Sequence, residues 1–145
     1  MKGLHGLSIV RITGENENFY RIMGRFFGNR QITKELGMPI YNDSGRIWFV
    51  AMDGDNPIAC SSIEIKKGKG SKASAVFKSS WVSPEWRGKG IYNALFEERF
   101  RAAAGSGVKI ITATATEASR KTFLRHGFEN IGMRGKYYLM RREIG

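Results

Sequence analysis

The chain has 145 residues, 41% of them hydrophobic, and a mean hydropathy of −0.34, the profile of one ordinary globular domain with no apolar run long enough to span a membrane. Its N-terminal apolar stretch is too short for a secretion signal, and its single cysteine, Cys60, excludes an internal disulfide, so a cytoplasmic protein is expected. The net charge is +11 and uneven: residues 1–71 carry 10 Lys and Arg against 7 Asp and Glu, residues 72–145 carry 14 against 6, which suits a nucleotide-like cofactor or, on a larger scale, nucleic acid.

In chain order, residues 7–12 alternate as a first strand. Phe19, Ile22, Met23, Phe26 and Phe27 lie at i, i+3, i+4, i+7 and i+8, the spacing of a helix with one apolar face over residues 15–36. Gly24 and Gly28-Asn29 weaken or split that helix. Residues 37–45 read as a loop and 47–52 as a buried strand. A turn at 53–57 leads to a returning strand at 58–65. Residues 66–72, Lys-Lys-Gly-Lys-Gly-Ser-Lys, read as a solvated, flexible hairpin tip. A strand at 73–82 follows. A helix then runs to Gly105, burying Leu95, Phe96, Phe100 and the stem of Arg99. Residues 108–115 are β-rich, 117–126 form a short helix stopped by Gly127, and 128–142 supply one or two last strands. The order β, α, β-β-β, α, β, α, β is mixed α/β. There are no repeats and no linker, so residues 1–145 read as one domain.

The most informative stretch is Trp-Val-Ser-Pro-Glu-Trp-Arg-Gly-Lys-Gly-Ile-Tyr-Asn-Ala-Leu at 81–95. An apolar strand enters a Ser-Pro turn, and a basic, glycine-punctuated loop opens onto an amphipathic helix. A helix start leaves backbone N–H groups unpaired and carries the positive end of the dipole. Glycines let that backbone close on a phosphate with no Cβ in the way. The arrangement suits a pyrophosphate. Two histidines (His5 and His126) and one cysteine give no metal-ligand spacing, so no metal is expected. Cys60 sits in an apolar run with no histidine beside it, a poor setting for a nucleophile.

Val82-Ser-Pro-Glu-Trp-Arg-Gly-Lys-Gly-Ile resembles the V-x-P-x-x-R-G-x-G-I run of the GNAT superfamily of N-acetyltransferases. Ala115-Thr-Glu-Ala-Ser-Arg-Lys-Thr-Phe-Leu-Arg-His-Gly-Phe128 is similar to that family's second signature, a small helix ending in Gly-Phe. The resemblance covers roughly residues 46–140. It implies a central, mostly antiparallel twisted sheet of six to seven strands, splayed in a V and flanked by about four helices. It also implies acetyl-CoA as acyl donor and an amine as acceptor, joined by direct attack. The strand ending at Val82 would hold the pantetheine arm through its backbone. The pyrophosphate would lie on the amides of Gly88, Lys89, Gly90, Ile91 and Tyr92, with Arg87 and Lys89 adding charge. Ser119, Arg120 or Lys121 would reach the arm or the adenosine phosphate. The acceptor side would come from residues 19–45 and the last strands, where Phe19, Tyr20, Phe26, Phe27, Tyr41 and Trp48 are aromatic.

The chain departs from the family pattern in several places. Tyr92 stands where the glycine motif usually ends in Gly or Ala, either packing or lining the pocket. Phe123 stands where many members carry a tyrosine that protonates the leaving thiolate, and it has no hydroxyl. Thr116 replaces the family's asparagine. The strand at 73–82 has no carboxylate; its polar residues include Lys78, Ser79 and Ser80. Glu64, Ser80, Glu117 and Tyr138 are the substitute candidates for proton handling, although the dipole by itself favours a carboxylate such as Glu117 at a helix start. A weakly basic amine, or water relaying the proton, would need no strong base. Three readings stay open: an N-acetyltransferase acting on an amine, an acyltransferase acting on a nucleic-acid acceptor (a modified DNA base or aminoacyl-tRNA), and a non-catalytic CoA-binding module. The oligomeric state is open, a homodimer included.

Overall fold

The computed structural model describes residues 4–43, 45–67 and 73–144, so most of the predicted hairpin tip, at 68–72, lies outside the described residues. The elements run β1 (Ser8–Ile12), α1 (Phe19–Met23), α2 (Arg30–Leu36), β2 (Arg46–Asp53), β3 (Asn56–Lys66), β4 (Ser74–Val82), α3 (Ile91–Gly105), β5 (Ile110–Ala115), α4 (Glu117–Arg125), β6 (Glu129–Arg134) and β7 (Tyr137–Glu143). The seven strands form one sheet in the order β1-β2-β3-β4-β5-β7-β6. β1–β2, β5–β7 and β6–β7 pair antiparallel. β4 and β5 pair in parallel, Ser74–Phe77 against Ile110–Ala113, because α3 carries the chain back between them, as a parallel pair requires. The fold is the mixed α/β sheet with four flanking helices expected from the sequence.

The predicted helix over 15–36 is two short helices. Gly28 takes φ +69°, outside the helical region, and Asn29 then caps α2, its Oδ1 accepting from the Ile32 amide at 3.1 Å.

The chain divides into two compact units, Met1–Ser62 with Ser79–Arg99 and Ile63–Lys78 with Phe100–Gly145. In the first unit, Phe19, Met23, Phe26 and Ile32 of the helical segment bury against Trp48, Val50 and Cys60 of the strands and Trp81 of β4. The stretch before β2 is pinned by Arg46, which forks onto Asp43 at 3.1 Å and donates to the Tyr41 carbonyl at 2.8 Å, and by Trp48 Nε1 donating to Asn42 at 2.9 Å. Arg99 corrects the sequence reading: the whole side chain is buried (2% exposed), not its stem alone. Its Nη1 donates to the Ser62 carbonyl at 3.3 Å and its guanidinium lies 5.4 Å from the Phe96 ring. Burial lowers its pKa, and a hydrogen bond with Tyr92 opposes that shift.

In the second unit, Phe77, Ile111, Phe123, Phe128 and Met140 are the main buried side chains. Phe123 of α4 meets Phe128 edge-on at 5.1 Å, and Phe128 meets Phe77 of β4 at 5.9 Å. The position where the resemblance leads one to expect a catalytic tyrosine therefore holds a core ring. Phe123→Ala is expected to lower the unfolding free energy by about 3–5 kcal/mol, measured by urea denaturation; a loss under about 1 kcal/mol would show that the ring carries no core packing.

Candidate functional site

The site in the first unit grows from the end of β4. Trp81, Val82 and Ser83 are buried, and the Ser83 amide donates to the Ile58 carbonyl at 2.8 Å, which fixes where the strand ends. Pro84–Trp86 form a single 3-10 turn, closed by Trp86 N–H on Ser83 O at 2.9 Å and Arg87 N–H on Pro84 O at 3.2 Å. Gly88 and Gly90 then adopt φ +76° and +80°, a region where an L residue is strained. The first bond of α3 is Ala94 N–H to Gly90 O at 3.0 Å. Among the described residues, the amides of Gly88, Lys89, Gly90, Ile91 and Tyr92 find no acceptor. A Cβ placed on Gly88 or Gly90 would meet nothing within 4 Å, so the space beside these donors is open. A row of unpaired amides at the positive end of a 15-residue helix fits an anionic diphosphate.

Arg87 does not hang free in this loop. Its Nε donates to the Val82 carbonyl at 2.9 Å and its Nη2 to Glu35 Oε2 at 2.5 Å. The same carboxylate oxygen accepts from Trp81 Nε1 at 2.9 Å, and the guanidinium lies 5.8 Å from the Trp81 ring. Glu35, on α2, is the residue that sequence reasoning missed. It lies 52 positions from Arg87, and nothing in Gln-Ile-Thr-Lys-Glu-Leu marks it. The hydrogen bonds from Arg87 and then Trp81 hold its carboxyl below the ordinary value.

The remaining predicted residues of this unit have defined places. Lys89 is exposed, and its carbonyl lies 3.2 Å from His5 Nε2. Ile91 is buried as the first residue of α3. Tyr92 packs 6.5 Å from Phe96 and hydrogen-bonds Arg99, so its side chain is spent on packing. Ser80 Oγ is buried with no hydrogen-bond partner among the described residues. Cys60 is fully buried, and desolvation pushes its thiol well above the ordinary range.

In the second unit, two of the proton-handling candidates meet. Tyr138 of β7 donates its hydroxyl proton to Glu117 of α4. Arg120 donates to the same carboxylate at 3.2 Å and lies 4.4 Å over the Tyr138 ring. The Tyr138 bond first, then Arg120, holds Glu117 below its ordinary pKa, and Glu117 holds Tyr138 above its own. Glu64 is paired with Lys78 at 2.7 Å. Ser119 and Thr116 form a capping box at the start of α4: Thr116 Oγ1 accepts from the Ser119 amide at 3.1 Å, and Ser119 Oγ accepts from the Thr116 amide at 3.0 Å. His126 is the C-cap of α4, and its carbonyl accepts from Arg142.

No helix among the described residues is long and apolar enough to cross a membrane, and no group of three or more His, Cys, Asp or Glu among them could hold a metal ion.

β4, the glycine loop, α3 and the parallel strand β5 follow one another in the chain, and the family comparison covers this run. The family model of the acetyltransferase (GNAT) domain matches residues 44–130, from the loop before β2 into β6. The chain belongs to the GNAT acetyltransferase family, whose members take an acyl group from CoA. Among solved structures, a Trypanosoma brucei acetyltransferase aligns with a TM-score of 0.71 at 14% identity, covering 88% of this chain and 96% of that one. The GNAT domain of S. lividans PAT aligns at 0.69 and 14% identity, covering 97% and 93%. The NatC complex bound to Gag peptide and CoA aligns at 0.70 and 12% identity, covering 96% and 99%. These likenesses are of fold. No curated protein matches the chain.

Glu35→Gln is expected to loosen the loop and to change the acid limb of stability. A depressed carboxyl pKa contributes stability that is fully present above the ordinary value of 4.5 and is lost as pH falls through the lowered value. The melting temperature of the wild type should therefore exceed that of the variant at neutral pH, the two converging as pH falls through the lowered value. A gap that stays constant through that range would show that the carboxylate charge does not hold Arg87.

Proposed function

We propose that this protein transfers an acetyl group from acetyl-CoA to an amine by direct attack, with no acyl-enzyme. The observation that carries the reading is the row of amides from Gly88 to Tyr92 that find no acceptor among the described residues, with open space at Gly88 and Gly90. On this reading those five amides hold the diphosphate, Lys89 adds charge, and Val82 offers backbone to the pantetheine arm. Arg87 contributes its charge while tied back to Val82 and Glu35. Bound acetyl-CoA supplies the activated thioester carbonyl.

The chain's part is chiefly positioning, which can supply most of the acceleration in such a reaction. Phe123 offers no proton. Glu117 is held as a carboxylate and Tyr138 as a neutral phenol, so neither has a pKa drawn toward neutrality, where a general acid or base works best. An acceptor that is already unprotonated at neutral pH needs no strong base. The proposed acceptor class is therefore an amine of low basicity, such as an aromatic or nucleobase-type amine, its proton passing to water.

Two measurements test this. Saturating acetyl-CoA should raise the melting temperature, and CoA thiol release should be faster with weakly basic amines than with alkylamines. Gly90→Glu, which puts bulk and negative charge at the cradle, should abolish the cofactor-induced shift. Gly90→Ala should lower the melting temperature by a few degrees through backbone strain and keep the shift. No shift in the wild type would defeat the proposal. A shift without thiol release across the amine panel would leave a binding module in its place.

A further inference from the structure

The charge of the chain divides along its two units. Among the described residues, the unit Met1–Ser62 with Ser79–Arg99 carries 9 Lys and Arg against 9 Asp and Glu, and the unit Ile63–Lys78 with Phe100–Gly145 carries 12 against 4. The first is neutral and the second holds the whole described excess. Three of the four glutamates in the second unit are already committed within it: Glu64 to Lys78 at 2.7 Å, Glu117 to Arg120 at 3.2 Å and Glu143 to Arg141 at 2.9 Å.

Part of that excess is concentrated at one corner. Tyr138 ties the turn end of the β6–β7 hairpin to the first turns of α4 through Glu117 and Arg120. Arg134 pairs with Tyr137 across the hairpin, and Arg134 and Lys136 are both exposed. On α4, Lys121 and Arg125 are exposed one turn apart, a spacing that puts both on one face. Cations are thus presented on a helix face and a tight turn joined by side-chain bonds. We propose that this corner of the second unit, formed by Lys121, Arg125, Arg134 and Lys136, with Arg120 tying the helix to the hairpin through Glu117 and Tyr138, docks the phosphate backbone of a nucleic acid.

Regularly spaced phosphates suit cations held on rigid elements, and arginine's planar fork suits phosphate oxygens. Lys136 lies 5.5 Å from the Tyr137 ring, so aromatic surface adjoins the cations, as in strand-binding proteins. A second copy of the chain is disfavoured, because it would bring the same excess positive charge to the contact. The proposal does not depend on acetyl transfer.

The test is fluorescence anisotropy with labelled 20-nucleotide single strands and duplexes of DNA and RNA, at rising NaCl, with and without saturating acetyl-CoA. About four phosphate contacts should weaken binding roughly a hundredfold between about 50 and 200 mM salt. Arg134→Glu combined with Lys136→Glu should weaken binding at least tenfold and leave the acetyl-CoA-induced thermal shift in place; if that variant does not fold, Arg134→Gln with Lys136→Gln should weaken it several-fold. Gly90→Glu should bind the oligonucleotide as the wild type does, which separates this proposal from the acetyl-transfer reading. No binding at about 50 mM salt, displacement of the strand by acetyl-CoA, or equal affinity for polyglutamate or phosphatidylserine vesicles would each overturn it.

Discussion

A guanidinium tied at both ends sets the lie of the glycine loop. Arg87 joins the last carbonyl of β4 to a carboxylate on α2, and the indole of Trp81 reaches the same oxygen. Hydrogen bonds between charged partners are about twice as strong as neutral ones. The amides of residues 88–92 inherit their direction from that anchor and from the helix they begin. A helix start alone supplies donors; the brace adds a fixed aim, and aim is what a preorganised anion site needs. It also makes α2 part of the machinery of the loop, although α2 is only seven residues long and supplies one side chain to it.

Much of the architecture was legible because it is written locally. Alternation marked the strands, the 3.6-residue period marked the helices, and the glycine-punctuated run at 87–90 marked the turn into α3. The division of the segment 15–36 was also foreshadowed, since Gly28 and Asn29 are break and cap in sequence. Less legible was anything that depends on distant partners. Arg99 reads as a residue that buries its stem and exposes its head, because burying a guanidinium is costly; the Ser62 carbonyl, Tyr92 and Phe96 make the deeper burial tolerable. Glu35 carries no local signature, since its meaning comes from a residue 52 positions away. Glu117 and Tyr138 were separate candidates in the sequence, and only the packing of α4 on β7 makes them one hydrogen-bonded pair.

That pair bears on the chemistry. A carboxylate and a phenol sharing a proton draw each other's pKa values apart, one down and one up. Groups separated this way are good at holding a geometry and poor at trading protons near neutrality. Phe123, with its ring in the core beside Phe128, points the same way. Where the resemblance implies a tyrosine acid this chain packs a ring, and on the proposed reading the burden falls on placement of the reactants and on the chemistry of the acceptor.

The buried sulfur of Cys60 has a practical corollary. It is the only cysteine in the sequence, it has no exposed surface, and desolvation keeps it in the unreactive thiol form. A disulfide-exchange dye added to the folded protein therefore meets a silent background, and any colour it develops counts sulfhydryl liberated from the carrier. The same sulfur becomes a reporter once the surrounding core opens, so one reagent can follow both turnover and loss of structure.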